Sequence, residues 1–261
     1  MLTIFTSAKP FRGRMASIQR NALQSWTQLH REVQILLFGD APGSQEISWE
    51  LGIHYEAHPQ LTPSGAVRLD SMLVTAQRSA VYNTLCYVAC DVILLPDFCE
   101  ALNRVEALYP EFVMAGRSRD VCLSEQFPFE DLEWEMRSPS CEQRDDSPGW
   151  NEGIAYVAFS KNLYLNDIPP VAVDHPSAVN WLLAKAVAED VPVVDASEMV
   201  AAFRQLSEMP RAVRDDDPGL PELATAGRVA CAPLRLTAAD VVRNRWRRVR
   251  SWQERVRGGT I

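Results

Sequence analysis

The sequence has few residues of the kinds that build metal or disulfide frameworks. It holds four histidines and six cysteines in 261 residues, and no two cysteines form a Cys-x-x-Cys pair. A chain of this length can bury a sizeable core without crosslinks, so a structural zinc site and a disulfide frame are both disfavoured. We expect the thiols to be reduced.

Long apolar runs are missing as well. The stretch from Leu85 to Leu95 is interrupted by Asp91, whereas a membrane-spanning helix needs about 20 apolar residues in succession. The first residues also lack the basic start and the long apolar centre of a signal peptide. These two absences predict a cytoplasmic protein.

Charge is unevenly distributed along the chain. The net charge is −8, but residues 243–257 hold seven arginines and one glutamate, a local charge of +6 that leaves −14 on residues 1–242. An acidic surface repels polyanions, so a nucleic-acid groove in the main part of the chain is disfavoured. The basic segment has helical spacing of its apolar residues, including Trp246 and Trp252. Three partners stay open for it: an anionic membrane surface, the acidic body of this or a neighbouring subunit, and nucleic acid.

Short apolar runs alternate with helical patterns, as is typical of βαβ units. The pattern predicts an α/β fold with a mixed, mostly parallel sheet flanked by helices and a C-terminal amphipathic helix. The predicted strands are 2–6, 33–38, 52–55, 85–89, 92–95, 112–116, 154–159 and 191–194, and the predicted helices are 15–28, 44–51, 68–80, 97–108 and 176–188. We expect a domain over 1–205 with a long functional loop over 119–150, a linker or extension over 206–236, and a basic helix over 237–261.

Polar residues stand at the ends of three predicted strands. Thr6 ends the first, Asp40 follows the second and Asp91 follows the fourth. Ligands of open α/β sheets collect at the carboxyl ends of the strands. Asp91 lies between two apolar runs, where an unpaired carboxylate is costly to bury, so it either borders a cleft or is held by a cation or metal. The alternative is a simple turn between two strands.

Several segments carry a resemblance to a known family. They include Ile4–Phe11 (IFTSAKPF), Ile18–Ala22 (IQRNA), Ile35–Asp40 (ILLFGD) and Asp91–Phe98 (DVILLPDF), together with 25–26, 85–88, 153–154, 162–164, 168–170, 180–183 and 192–196. In this order and spacing the chain resembles a family of bacterial and plant glycosyltransferases of the GT-A fold over about residues 2–205. The resemblance implies a GT-A-like, Rossmann-like domain that uses a nucleotide-sugar donor.

The resemblance also implies roles for residues at the strand ends. It assigns Thr6, Lys9 and Asp40 to the nucleotide, and it places the family's Asn-Ala-Asp version of the Asp-x-Asp motif at Ala89–Cys90–Asp91. That motif holds Mg²⁺ or Mn²⁺ against the diphosphate, because oxygen ligands suit these ions. Asp91 is the one carboxylate of the motif that this chain keeps.

The chain departs from the family pattern at further polar positions. Ala155 stands in place of an Asp in Gly-Ile-Asp-Tyr, Val179 replaces an Asp before Asn-Trp-Leu, and residues 204–209 replace His-Gln-x-His-Asp-Tyr. These joint changes leave open a changed reaction, a metal-free mechanism or no reaction. Arginine can neutralise a diphosphate through bidentate contacts without a metal, and Arg204 stands at the position of the family's first His in that segment.

The candidate site residues fall into three groups. Asp91 and Glu152 are the catalytic candidates, Asp91 as the metal ligand and Glu152 as the base for the acceptor hydroxyl. The candidates for nucleotide-sugar binding are Thr6, Lys9, Arg20, Asp40, Arg68, Cys90, Arg117 and Arg204. The candidates for acceptor binding are Trp150, Asn151 and His175. For Lys9, Arg20 and Arg204 the alternative is a solvated surface cation.

The residues and the resemblance together predict a glycosyltransferase of polysaccharide biosynthesis. It would move a sugar from a nucleotide donor to a hydroxyl of a glycan or lipid-linked acceptor, in the cytoplasm or peripherally at the inner membrane face. The main alternative is a non-catalytic nucleotide-sugar-binding or scaffold protein derived from the same fold. A nucleotidyltransferase on the same sheet is a third interpretation, although the chain has no glycine-rich phosphate loop.

Overall fold

A computed structural model of the protein describes residues 1–121, 123, 153–206, 234 and 235. Within these residues the strands are β1 (Leu2–Ser7), β2 (Val33–Phe38), β3 (His54–Glu56), β4 (Thr84–Val88), β5 (Val92–Leu94), β6 (Val113–Arg117), β7 (Arg119–Val121), β8 (Ile154–Ser160), β9 (Val193–Asp195), β10 (Ala202–Gln205) and β11 (Leu234–Arg235). The helices are α1 (Gly13–Thr27), α2 (Ser44–Leu51), α3 (Leu69–Ser79), α4 (Asp97–Leu108) and α5 (Pro176–Ala188).

The central sheet has eight strands in the order β11-β9-β6-β8-β4-β1-β2-β3. Neighbouring strands are parallel except at β8, which runs antiparallel to β4 and to β6. The predicted α/β fold with a mixed, mostly parallel sheet is confirmed. After β3 the chain returns to the other side of β1 to form β4, so the strand order reverses between β1 and β4.

Side chains alternate between two cores, one on each face of this sheet. In β1, Leu2 and Ile4 belong to the first core and Phe5 to the second, as the period of two in a strand requires. The first core packs against α1, α2 and α4, and the second against α3 and α5. Each large apolar side chain buried in these cores stabilises the fold by about 1.5–3 kcal/mol.

A second, three-stranded sheet has the order β5-β10-β7 and was not predicted. β10 is antiparallel to β5 and parallel to β7. The predicted loop over 119–150 therefore begins with a strand, and the prediction that this stretch has no regular structure at its start was wrong. Helices α2, α4 and α5 begin and end at the predicted residues.

Three predicted segments fall wholly or mostly outside the described residues. They are the remainder of the 119–150 loop, the 206–236 linker apart from its ends, and the basic helix over 237–261. Within the predicted linker, β11 pairs in parallel with β9. None of the helices in the described part of the chain has the length and apolar character that a bilayer-spanning helix requires.

Candidate functional site

The carboxyl ends of β1, β2 and β4 lie side by side along one edge of the central sheet. Ser7 at the end of β1 is opposite Phe38 at the end of β2, and Phe5 is opposite Tyr87 of β4. The strand order reverses between β1 and β4, and open α/β sheets bind ligands in the crevice at such a reversal. The fold therefore brings the ends of three strands, and the residues predicted there, to the place where a ligand is expected.

Asp91 lies in a tight turn at this edge, between β4 and β5. The Val92 N–H donates to the Ala89 carbonyl oxygen at 3.0 Å, which closes a four-residue turn with Cys90 and Asp91 at its centre. Asp91 is half-buried. The sequence is compatible with a turn or with a cleft border at this residue, and the structure shows a turn that lies at the strand-order reversal.

The Cys90 side chain, from the second residue of this turn, is buried next to Thr6. Burial raises the pKa of the Cys90 thiol, the nearby Asp91 carboxylate raises it further, and the side chain of Thr6 offsets part of that rise. The thiol is therefore protonated near neutral pH. A protonated thiol is a poor nucleophile, and a hard cation such as Mg²⁺ prefers oxygen ligands. Cys90 is 7% exposed and belongs to the first core.

The loop after β1 is held by the side-chain amide of Gln19 in α1. Gln19 Oε1 accepts from the Lys9 N–H at 2.6 Å, and Gln19 Nε2 donates to the Lys9 carbonyl oxygen at 2.9 Å. Gln19 is buried while Lys9 is exposed. The backbone of Lys9 is thus fixed on both sides, and its ammonium group is presented to solvent at the carboxyl end of β1.

The loops after β1 and β2 also rest on each other. The Phe11 N–H donates to the Pro42 carbonyl oxygen at 2.8 Å. Gly43 has φ +92°, and a Cβ at that position would lie 2.6 Å from the Cβ of Phe11. Only glycine tolerates both this positive φ and so close an approach. Gly43 therefore allows the loop after β2 to pack against Phe11 in the loop after β1.

Asp40 lies at the end of β2, where the sequence placed it, and is exposed. The Tyr55 hydroxyl donates to Asp40 Oδ1 at 3.2 Å. Burial raises the pKa of the Tyr55 hydroxyl, and its hydrogen bond to Asp40 raises it further. The Asp40 carboxylate is therefore oriented by a side chain of β3.

Arg20 and Arg68 both form ion pairs. The Arg20 guanidinium pairs with Glu50 of α2. Arg68 Nε donates to Asp70 Oδ1 at 3.0 Å, and this hydrogen bond raises the pKa of Arg68. Their predicted contacts with a nucleotide stay predictions, and either arginine would have to share its guanidinium between an acidic neighbour and a ligand.

Arg117 and Arg204 occupy different parts of the edge. Arg117 ends β6, and its N–H donates to Ser197 Oγ at 3.0 Å. Arg204 belongs to β10, where it is opposite Val92. Arg204 is therefore one strand away from the Asp91 turn, whereas β8 separates β6 from β4.

The predicted acceptor residues are only partly described. His175 precedes α5, and its Nδ1 accepts from the Ser177 N–H at 3.2 Å, so its side chain caps the helix. Trp150, Asn151 and Glu152 lie outside the described residues. Acceptor binding by Trp150, Asn151 and His175 stays a prediction, as does the role of Glu152 as the base.

Two buried amides at the edge were not singled out by the sequence analysis. The Gln205 N–H donates to the Asp91 carbonyl oxygen at 3.0 Å, and Gln205 Nε2 donates to the Ile18 carbonyl oxygen at 2.9 Å. Asn21 Nδ2 donates to Gln205 Oε1 at 2.9 Å. The signal in the sequence was the presence of Gln19 and Asn21 on α1 beside the apolar residues of its buried face, since buried amides need partners.

The described residues do not form a metal centre by themselves. None of them belongs to a group of three or more His, Cys, Asp or Glu that could hold a metal ion. Asp91 supplies one carboxylate, and Cys90 beside it is protonated. Mg²⁺ usually takes one or two carboxylates plus oxygens of the substrate. The predicted Mg²⁺ or Mn²⁺ would therefore depend on the donor for most of its ligands.

A cavity of about 330 Å³ lies at the opposite edge of the sheet, beside the starts of β2 and β3. Its polar lining includes His30, Arg31, Gln34 and His54. It contains none of the predicted site residues.

Comparison with known proteins gives matches in structure alone. No protein-family model matches the sequence, and neither does any curated protein. The similar solved structures include S. aureus TarS 1–349 in complex with UDP, with 10% identity, 80% of this chain and 58% of that chain covered, and a TM-score of 0.44. They also include M. tuberculosis glucosyl-3-phosphoglycerate synthase in complex with Mn²⁺, UDP and phosphoglyceric acid, with 14% identity, coverages of 79% and 71%, and a TM-score of 0.46. The chain spans 35–58% of the TarS 1–349 chains that it matches. Membership of the family that the sequence resembles stays a prediction.

Proposed function

We propose that this protein is a nucleotide-sugar-dependent glycosyltransferase whose donor binds across the carboxyl ends of β1 and β4. The observation that carries the proposal is the position of the Asp91 turn, which lies beside Thr6 where the strand order reverses. Lys9 and Asp40 lie at the carboxyl ends of β1 and β2 on the same edge. The resemblance of these segments to GT-A glycosyltransferases supports the same choice of ligand.

The chemistry defines what the edge has to supply. The bond between the sugar C1 and the donor diphosphate breaks, a bond forms between C1 and the acceptor oxygen, and the nucleoside diphosphate leaves. The acceptor proton passes to a base, for which Glu152 is the candidate. Charge that develops on the leaving diphosphate needs cations held in place. We assign that task to Lys9, whose backbone is fixed by Gln19, and to Arg204, which is opposite Val92.

The remaining parts of the proposal concern the acceptor and the location. We propose a hydroxyl of a glycan or of a lipid-linked sugar as the acceptor, contacted by Trp150, Asn151 and His175. We further propose that the basic segment over 237–261 contacts an anionic membrane surface at the cytoplasmic face, because clustered arginines and interspersed tryptophans favour such a surface. The division into 1–205, 206–236 and 237–261 belongs to the same proposal.

A donor screen on the full chain tests the proposal. Thermal unfolding and nucleotide release would be measured with UDP-glucose, UDP-N-acetylglucosamine, GDP-mannose and dTDP-glucose, each with MnCl₂ or with EDTA. A donor at about 100 times its Kd stabilises the native state by about 2.7 kcal/mol, which raises Tm by about 5 °C or more for a domain of this size. We expect one donor to raise Tm and to be slowly hydrolysed. If no donor changes Tm, the proposal is wrong.

A non-catalytic nucleotide-sugar-binding protein is the second candidate. It is favoured by the motif triplet Ala89–Cys90–Asp91, which offers one carboxylate and a protonated thiol. The same screen separates the two functions. A donor that raises Tm without any release of nucleotide would favour the non-catalytic protein, and an effect that persists in EDTA would favour charge stabilisation by Lys9 and Arg204.

A further inference from the structure

The peptide unit that joins Asp91 to Val92 is held from both sides. Its carbonyl oxygen accepts from the Gln205 N–H at 3.0 Å and lies 3.4 Å from Gln205 Nε2, and its N–H donates to the Ala89 carbonyl oxygen at 3.0 Å. The next carbonyl oxygen, that of Val92, accepts from Trp26 Nε1 at 3.0 Å. These bonds leave the backbone of Asp91 little rotational freedom, so they also set the direction in which its side chain leaves the turn.

Gln205 connects this peptide unit to helix α1. Its side chain donates to the Ile18 carbonyl oxygen and accepts from Asn21 Nδ2, both at 2.9 Å. Gln205 is 3% exposed and Asn21 is 1% exposed. A buried amide is costly when it loses a partner, so this set of bonds favours a single arrangement of the turn. We call Gln205 and Asn21 the Asp91 clamp.

The clamp also ties the turn to a candidate cation. Arg204 immediately precedes Gln205 in β10, and the two side chains point to opposite faces of the small sheet. Gln205 extends towards α1, so the clamp fixes β10 from the face opposite to that of Arg204. The positions of Asp91 and Arg204 are thereby set by the same bonds.

We infer that Gln205 and Asn21 are positioning residues, which hold the Asp91 turn and Arg204 in the geometry that the donor site requires. This inference rests on the proposed function, because neither side chain is expected to touch the donor. It extends the site to two buried amides on α1 and β10 that act through the backbone of Asp91.

Two matched variants test the clamp. Gln205→Met removes the side-chain amide of the clamp. Gln77→Met removes an amide of similar burial on α3, where Gln77 Nε2 donates to the Tyr164 carbonyl oxygen at 2.6 Å and Gln77 Oε1 accepts from the Asn162 N–H at 2.9 Å. Gln77 is 5% exposed, and its partners follow β8 at the opposite edge of the sheet. Comparing the two variants therefore separates the general effect of losing a buried amide from the specific effect of losing the Gln205 amide.

The first readout does not depend on any donor. Iodoacetamide labelling of the full chain at about pH 8 would be followed for Cys90 and Cys86 by peptide mass spectrometry. Both thiols are buried, but only Cys90 lies in the turn, so their ratio reports local opening. We expect Gln205→Met to raise the ratio of Cys90 to Cys86 labelling at least about tenfold, and Gln77→Met to leave it within about twofold. An unchanged ratio in Gln205→Met, or an equal rise in Gln77→Met, would overturn the inference.

The second readout is donor hydrolysis with the best donor of the screen. We expect Gln205→Met to lower kcat at least about tenfold while the donor KM changes by less than about threefold, since a displaced turn affects the transition state more than ground-state binding. Unchanged kcat in the presence of faster Cys90 labelling would also overturn the inference. If the wild-type protein hydrolyses no donor, the proposed function fails, and the labelling still decides whether Gln205 holds the turn. Should Gln205→Met not fold, Asn21→Ala removes one bond of the clamp and is measured in the same two ways.

Discussion

Glutamine side chains hold loop backbones at both the amino-terminal edge and the carboxyl edge of the central sheet, but the loops differ in their charged groups. At the amino-terminal edge of β2, Gln34 Nε2 donates to the Ser79 carbonyl oxygen at 3.0 Å, and Gln34 Oε1 accepts from the Val81 N–H at 2.9 Å. At the carboxyl edge, the Gln19 side chain holds Lys9 in the same manner. Gln205 holds the Asp91 carbonyl oxygen through its backbone N–H at 3.0 Å, with its side-chain Nε2 at 3.4 Å. A glutamine that bonds a loop backbone therefore indicates a constrained loop, and it does not by itself indicate a functional site.

The charged groups at the two edges differ. At the amino-terminal edge, Lys161 Nζ donates to the Ala80 carbonyl oxygen at 2.7 Å, and Glu106 Oε1 accepts from Thr84 Oγ1 at 2.5 Å. These charges serve the connections between strands and helices. At the carboxyl edge Lys9 and Asp40 are exposed on loops that are themselves fixed. Exposed charge on a fixed loop backbone is therefore a property of the candidate site at both Lys9 and Asp40.

The largest expected effect comes from removing the Asp91 carboxylate at the carboxyl edge. We expect Asp91→Asn to lower donor hydrolysis by about 100-fold, the usual loss when a group that stabilises the transition state is removed, and to change the free energy of unfolding by less than about 1 kcal/mol. Glu106→Gln is the matched control at the amino-terminal edge and should leave hydrolysis within about twofold. Equal losses in the two variants would show that the carboxyl edge has no special role.

The stabilities of two glutamine variants, one at each edge, test whether the two edges are anchored equally well. We expect Gln77→Met and Gln205→Met each to lower the free energy of unfolding by about 2 kcal/mol, because each leaves buried backbone groups without a partner. The expected stabilities are similar, so the two edges differ in hydrolysis and not in unfolding. Urea unfolding at neutral pH measures both values. A loss that differs by more than about 2 kcal/mol between the variants would argue against equivalent anchoring.

Much of the central sheet could be predicted from the sequence. The strands of the sheet are continuous apolar runs, such as Val33–Phe38, and the helices have apolar residues on one face, such as Leu69, Met72, Leu73 and Ala76 of α3. The prediction failed for β7 and β10. β10 reads Ala202–Phe203–Arg204–Gln205, and its pairing partners Val92–Leu94 and Arg119–Val121 are distant in the sequence. A short strand with mixed polarity has no local signal that identifies such partners.

Only those candidate site residues that lie at the ends of apolar strands could be predicted from the sequence. Thr6, Asp40 and Asp91 could be named because each follows an apolar run, and topology then placed them on one edge. Gln205 could not be named in this way, because its role consists of bonds to Asp91, Ile18 and Asn21, which are far from it in the chain. Buried polar contacts of this kind depend on tertiary packing, and the spacing of apolar residues along the chain does not show which distant residues will pack together.

The raised pKa of the Cys90 thiol predicts that the stability of the protein depends on pH. Burial raises the pKa of Cys90 above its usual value of 9.0 in the folded protein. The unfolded chain therefore loses this proton as the pH rises past about 9 while the native state keeps it, so stability is fully present below pH 9 and declines above it. Each such thiol contributes at most about 1.4 kcal/mol of loss per pH unit. Burial also raises the pKa of Cys99, to about 11, and that of Cys86, so these two add to the decline.

Cys90→Ala measures how much Cys90 contributes to the pH dependence of the free energy of unfolding. We expect the fall in the free energy of unfolding between pH 8.5 and pH 10 to be about 1 kcal/mol smaller in Cys90→Ala than in the wild type. The measurement is urea unfolding at several pH values under reducing conditions. An identical pH dependence in the two proteins would mean that the turn exposes Cys90 to solvent in the native state.

The smallest expected effect concerns two buried tyrosines, one at each edge. The Tyr164 hydroxyl donates to the Leu182 carbonyl oxygen at 2.8 Å, whereas the Tyr156 hydroxyl, near the start of β8, has no hydrogen-bond partner among the described residues. Tyr156 Oη instead occupies the space over Gly116, where a Cβ would lie 2.1 Å from it. Burial raises the pKa of both hydroxyls well above the usual range, so both are protonated near neutral pH.

We expect Tyr164→Phe to lower the free energy of unfolding by about 1 kcal/mol, because the Leu182 carbonyl oxygen loses its donor. Tyr156→Phe should leave it unchanged or raise it by up to about 1 kcal/mol, because a buried hydroxyl without a partner is removed. Urea unfolding of the two variants checks the difference. If Tyr156→Phe is the more destabilising of the two, its hydroxyl has a hydrogen-bond partner in the native state, for which Asp97 and Asp195, the acidic residues that raise its pKa, are the candidates.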